Sequence, residues 1–102
     1  MTTDINELAS ILSTARHLGL SLGGLQTLIL LADHESLGMS AIAEEIGFTC
    51  SSMTQLAQRL IGRRLIQRDS RSLADRRAVS LRLTELGRQR VFQLTGKTEF
   101  TA

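Results

Sequence analysis

Proline, tryptophan and tyrosine are absent from this 102-residue chain, and cysteine and lysine occur once each. A single cysteine excludes an internal disulfide framework, which makes a reducing cytoplasm the default compartment. With no proline and 8 glycines, the composition is not that of a disordered linker. No apolar run approaches the roughly 18 residues needed to span a bilayer. The longest candidate, 25–32, is interrupted by Gln26 and Thr27. The start, Met1-Thr2-Thr3-Asp4, lacks the basic region and apolar core of a signal peptide. No membrane partner is therefore expected.

Chemistry-bearing patterns are equally scarce. There is no glycine-rich phosphate loop, no Ser/His/Asp order and no carboxylate pair at a glycine-rich turn, so no enzyme and no cofactor are expected. His17 and His34 are the only histidines. His34 stands between Asp33 and Glu35, but neighbours in a helix do not converge on one ion, so no metal site is expected. Cys50 stands beside a helix start, where a thiol can be activated. Its place on the helical wheel leans toward the buried side, which favours an inert packed thiol.

What is present is a globular composition, 42% apolar and 22% charged, in a chain long enough for one domain, 1–102. The net charge of +2 conceals an asymmetry. Residues 1–58 carry −5 and residues 59–102 carry +7. Ten of the 12 bases fall between positions 59 and 90, and all ten are arginine. Lysine would serve solubility equally well. Arginine adds a planar fork of donors suited to phosphates and base edges.

Hydrophobic spacing divides the chain into short elements. Residues 4–18 carry Ile5, Leu8, Ala9, Leu12 and Ala15 at helical intervals, with Asp4 as N-cap and Gly19 as stop. A second helix over 22–32 is apolar on most sides and should be central. Residues 35–39 form a loop that can hold one bridge of strand. Ser40 is expected to cap a short helix ending at Ile46, which Gly47 terminates. Thr49 caps the next helix, whose Met53, Leu56, Ala57, Leu60 and Ile61 form one stripe. Its opposite face, Ser51, Gln55, Gln58 and Gly62, is polar and uncharged, flanked by Ser52, Thr54 and Arg59. The period then changes. Residues 65–68 form a strand, 69–77 a polar connection bearing Arg71, Arg76 and Arg77, and 78–83 a second strand with Val79, Leu81 and Leu83 inward. Thr84 caps a last helix running to about Leu94.

Two helices joined at a glycine, the second longer, form a helix-turn-helix unit. Ala43 is small where such helices cross, and Gly47 can take the left-handed conformation of the turn. The order helix, helix, helix-turn-helix, hairpin, helix is that of a winged helix. The expected fold is α+β, mostly α: a winged helix-turn-helix with a two-stranded β-hairpin wing. Its parts are an N-terminal helix (1–19), a helix-turn-helix and wing core (20–83), and a C-terminal helix and tail (84–102).

Over residues 20–94 the sequence resembles the MarR (multiple antibiotic resistance regulator) family of bacterial transcription regulators. The resemblance rests on Leu25-Gln26, Met53-Thr54-Gln55-Leu56 and Arg64-Leu65-Ile66-Gln67-Arg68. Its most specific parts are Asp75-Arg76-Arg77 and Leu83-Thr84-Glu85-Leu86-Gly87. It implies a sequence-specific regulator of double-stranded DNA, a repressor that occupies a promoter. The recognition helix, 49–61, would lie in the major groove and the wing, 69–77, at the minor groove. The residues suit these roles. Gln55 and Gln58 carry amides that can pair with adenine. Ser51, Ser52 and Thr54 can bond phosphates or bases. Thr49 and the first amides of its helix suit a phosphate, Arg59 and Arg63 suit backbone contacts, and Arg71 belongs to the wing. By the resemblance, Arg77 beside Arg76 enters the minor groove and Asp75 steadies it.

Family members are usually longer, with terminal helices that intertwine into a dimer. The expectation here is a homodimer joined through both termini on a smaller interface, binding an inverted repeat. The resemblance allows a small-molecule effector, but the family's effector site for small aromatic acids is assigned to no residues here. The competing reading is a winged-helix adaptor that binds a protein instead of specific DNA, for which the acidic first half offers a surface.

Overall fold

The computed structural model describes residues 5–69 and 79–96. Within them the chain forms five helices and three short strands: α1 (Ile5–His17), α2 (Leu22–Ala32), β1 (Leu37–Gly38), α3 (Met39–Ile46), α4 (Cys50–Gly62), β2 (Ile66–Arg68), β3 (Ser80–Leu83) and α5 (Glu85–Thr95). Asp4, Ala78 and most of the expected wing lie outside the described residues.

Local chemistry explains most boundaries. The hydroxyls of Ser21, Thr49 and Thr84 accept the backbone N–H groups of Gly24, Ser52 and Gly87, each capping a helix N-terminus. At Gly47, which ends α3, φ is +77°, a conformation that glycine adopts without Cβ strain. One expected cap is corrected. The residue before α3 is Gly38, not Ser40, and it makes no side-chain cap bond. The Met39 N–H donates to the Val79 carbonyl at 2.7 Å, so sheet pairing leads directly into the helix and starts it earlier than Ser40 would.

The two expected strands gain a third. β3 is central, pairing antiparallel with β1 on one side and β2 on the other. Leu37 lies opposite Leu81 and Ile66 opposite Leu83. Leu81 and Leu83 point into the core, while Ser80 and Arg82 are half-buried on the other face. The helix α2 is the hub. Its Leu28 and Leu31 are fully buried against Ile42, Met53, Leu56, Leu81 and Val91. The one polar side chain in its buried face, Thr27, donates its hydroxyl to the Gly23 carbonyl at 2.8 Å and so carries no unmet bond. A smaller cluster of Ala15, Leu25 and Leu94 joins α1 and α5 to this hub.

Candidate nucleic-acid interface

Helices α3 and α4 meet at Gly47. Ile42 and Ala43 on the first, and Met53, Leu56, Ala57 and Leu60 on the second, are buried. That contact fixes the roll of α4, and the rest follows from 100° per residue. Ser51, Ser52, Thr54, Gln55, Gln58, Arg59 and Gly62 are all exposed. Among them only Arg59 is charged, so the outward face is a field of hydroxyls and amides with one guanidinium at its edge.

The helix start is ordered for anion contact. The hydroxyl of Thr49 accepts the Ser52 N–H at 3.1 Å and donates to the Ser52 hydroxyl at 3.0 Å. Thr54 donates to the Cys50 carbonyl at 2.9 Å. Helix-dipole charge and the unsatisfied N–H groups of the first turn both favour an anion there.

Arg63 is placed differently from the other candidates. Its guanidinium donates to the carbonyls of Gly19, at 3.1 Å, and Leu18, at 2.5 Å. The side chain runs along the C-terminal end of α4 to the turn between α1 and α2. Arg71, Asp75, Arg76 and Arg77 lie outside the described residues. Asp69, at the start of the expected wing connection, is buried, and its N–H donates to the Ser80 carbonyl at 2.8 Å.

Cys50 is a further correction. The thiol is exposed, although the helical wheel leans it inward. It does face Met39, Met53 and Val79, but the cleft they share, about 110 Å³, opens to solvent. His17 and His34 each donate from Nδ1 to the carbonyl four residues back, Ser13 at 2.9 Å and Leu30 at 3.0 Å. Among the described residues no group of three His, Cys, Asp or Glu side chains converges on a metal position. No described helix is long and apolar enough to cross a membrane.

The exposed polar face of α4, backed by a buried stripe and flanked by a three-stranded sheet, is the arrangement of a winged-helix protein. The MarR family model matches residues 20–79. The chain belongs to the MarR family. YusO from Bacillus subtilis is 30% identical, with a TM-score of 0.76 over 89% of this chain and 64% of that one. The transcriptional repressor CouR, solved bound to a 23-mer DNA duplex, is 25% identical, with a TM-score of 0.75 over 90% of this chain and 64% of CouR. The transcriptional regulator Tm0710 from Thermotoga maritima superposes with a TM-score of 0.82 at 19% identity, a likeness of fold, over 91% of this chain and 65% of its own. This MarR-family chain thus spans about two thirds of the length of these structures. No curated protein sequence matches it.

Sequence reasoning placed the α4 face correctly, because one buried stripe determines the opposite one. It missed the partners of Arg63, for which no local signal exists.

Proposed function

We propose that this chain is a DNA-binding transcriptional regulator that inserts α4 into the major groove and represses by occupying a promoter. The observation that carries this is the outward face of α4. Four exposed residues at helical spacing, Ser51, Thr54, Gln55 and Gln58, offer donors and acceptors without net charge. Surface helices with no ligand usually present Glu and Lys there. A face built for neutral hydrogen bonding suits base edges, and Arg59 at its edge suits the phosphates alongside. In this reading Gln55 and Gln58 contact bases, and Thr49, Ser51, Ser52 and Arg59 contact the backbone. The wing residues Arg71, Asp75, Arg76 and Arg77 serve the minor groove. The DNA-bound structure of CouR supports the same reading for a relative of this fold.

The regulator acts as a homodimer on an inverted repeat. Ile5, Leu8 and Leu12 on α1 are 81%, 48% and 46% exposed, and Phe92 on α5 is 45% exposed. These apolar side chains lie on the two helices that pack together outside the helix-turn-helix. A second copy of the chain is the occupant that would cover them.

The test is a gel shift with genomic fragments at two salt concentrations. Selective retardation of a few fragments, weakening steeply as salt rises, is the expected result. A protein that retards no fragment even at low salt is not a DNA-binding regulator, and the adaptor reading then replaces this one.

A further inference from the structure

We infer that Arg63 is a positioning residue that couples the end of α1 to the orientation of α4, not a contact to DNA phosphate. This rests on the proposed DNA-binding reading only for its functional consequence. The geometric part concerns the free protein.

Each terminal nitrogen of the Arg63 guanidinium uses one of its two N–H donors on a backbone carbonyl, which fixes the direction of the side chain. One donates to Gly19 O and the other to Leu18 O, at 3.1 and 2.5 Å, across 44 and 45 residues of sequence. These carbonyls follow the last turn of α1, where helix carbonyls lack intrahelical donors and the helix dipole is negative. A cation with a fork of donors is the group such a terminus attracts. The turn that presents the two carbonyls is held by Gly19 at φ +74°. It is also held by backbone bonds from Leu18, Gly19 and Leu20 to Thr14, Arg16 and Ala15.

The neighbouring residue completes the device. Arg64 has a φ of +63°, a left-handed conformation that a non-glycine residue holds only under external constraint. Two bonds supply it. The Thr84 hydroxyl donates to the Arg64 carbonyl. The Leu65 N–H returns to the Leu60 carbonyl at 3.0 Å. Thr84 is itself the N-cap of α5. The end of α4 is therefore tied by Arg63 to the end of α1, and through Arg64 to the start of α5. The helices α1 and α5, which bear the exposed Ile5, Leu8, Leu12 and Phe92, are the two fastened to the base of the candidate recognition helix. Whatever covers or shifts α1 is felt at α4 through a two-residue joint.

The experiment uses Arg63→Ala and Arg63→Lys in the full chain. Circular dichroism first identifies the temperatures at which each variant is folded. Amide hydrogen exchange of the free protein is then followed at residues 18–20. Losing charge-assisted bonds at this joint should speed exchange there about tenfold or more in Arg63→Ala. Lysine, a point charge in place of a planar fork, should restore less than half of the lost protection on a logarithmic scale. On the selected DNA site, Arg63→Ala should weaken binding about tenfold more than it does on random DNA, with an unchanged dependence of log affinity on log salt.

A slope flatter by about one unit would make Arg63 a phosphate contact and overturn the inference. So would exchange rates at residues 18–20 that match the parent. If the parent chain binds no DNA, the regulator reading fails, but the exchange result still decides whether the joint exists. A variant that does not fold at any temperature leaves Arg63→Lys to carry both measurements.

Discussion

Replacing Gly87 by alanine opposes two effects of known sign. Gly87 lies in the first turns of α5, so helix propensity alone makes alanine stabilising by about 1 kcal/mol. Packing argues the reverse. A Cβ at position 87 would stand 2.1 Å from the Leu65 carbonyl oxygen and 3.0 Å from a Leu83 methyl. The carbonyl is backbone and cannot rotate away. Helix α5 must retreat by about 1 Å, and overpacking of this kind costs about 1–3 kcal/mol. The retreat also stretches the bond from the Thr84 N–H to that same carbonyl, now 3.1 Å, a net loss of about 1 kcal/mol. Packing therefore wins, with Gly87→Ala destabilised by about 2 kcal/mol. For a domain of this size that lowers Tm by about 8–16 °C. Thermal unfolding by circular dichroism measures it. Gly62→Ala is the matched control, since a Cβ there meets nothing within 4 Å, and it should hold or raise Tm. A Gly87→Ala protein as stable as the parent would refute the close approach of α5 to the Leu65 carbonyl.

Three further outcomes are expected. Gln55→Ala should cost about 1–3 kcal/mol on the selected DNA site and little on random DNA, measured by fluorescence anisotropy; equal losses on both would remove it from base contact. Changing Arg76 and Arg77 together to alanine should weaken binding to all sequences and flatten the salt slope by up to about two units, and an unaltered slope would exclude the wing. Sedimentation equilibrium at micromolar concentration should show a dimer that Leu8→Glu with Leu12→Glu dissociates, whereas a parent that stays monomeric on DNA, one chain per site, would end the two-fold reading.

What the sequence determined by itself is what neighbours in the chain decide. Thr49 and Thr84 cap the helices that follow them because a hydroxyl reaches an N–H three residues away in any context. Gly47 ends α3 because the turn needs a positive φ there. The outward face of α4 followed from its buried stripe, since the helical period leaves no other choice. Tertiary structure decided the rest. Leu37 and Gly38 could be read as a bridge of strand, but two residues carry no periodicity, and only the place of β3 beside them decided the pairing. That pairing also moved the start of α3 off Ser40. The thiol of Cys50 is exposed because its cleft is open, which the helical wheel cannot express. Gly87 is required by a carbonyl 22 residues earlier in the chain, and Arg63 found its acceptors 44 and 45 residues away. Bonds closed within a helical turn are written in the local sequence. Those between distant segments exist only once burial of the α2 hub has brought the segments together.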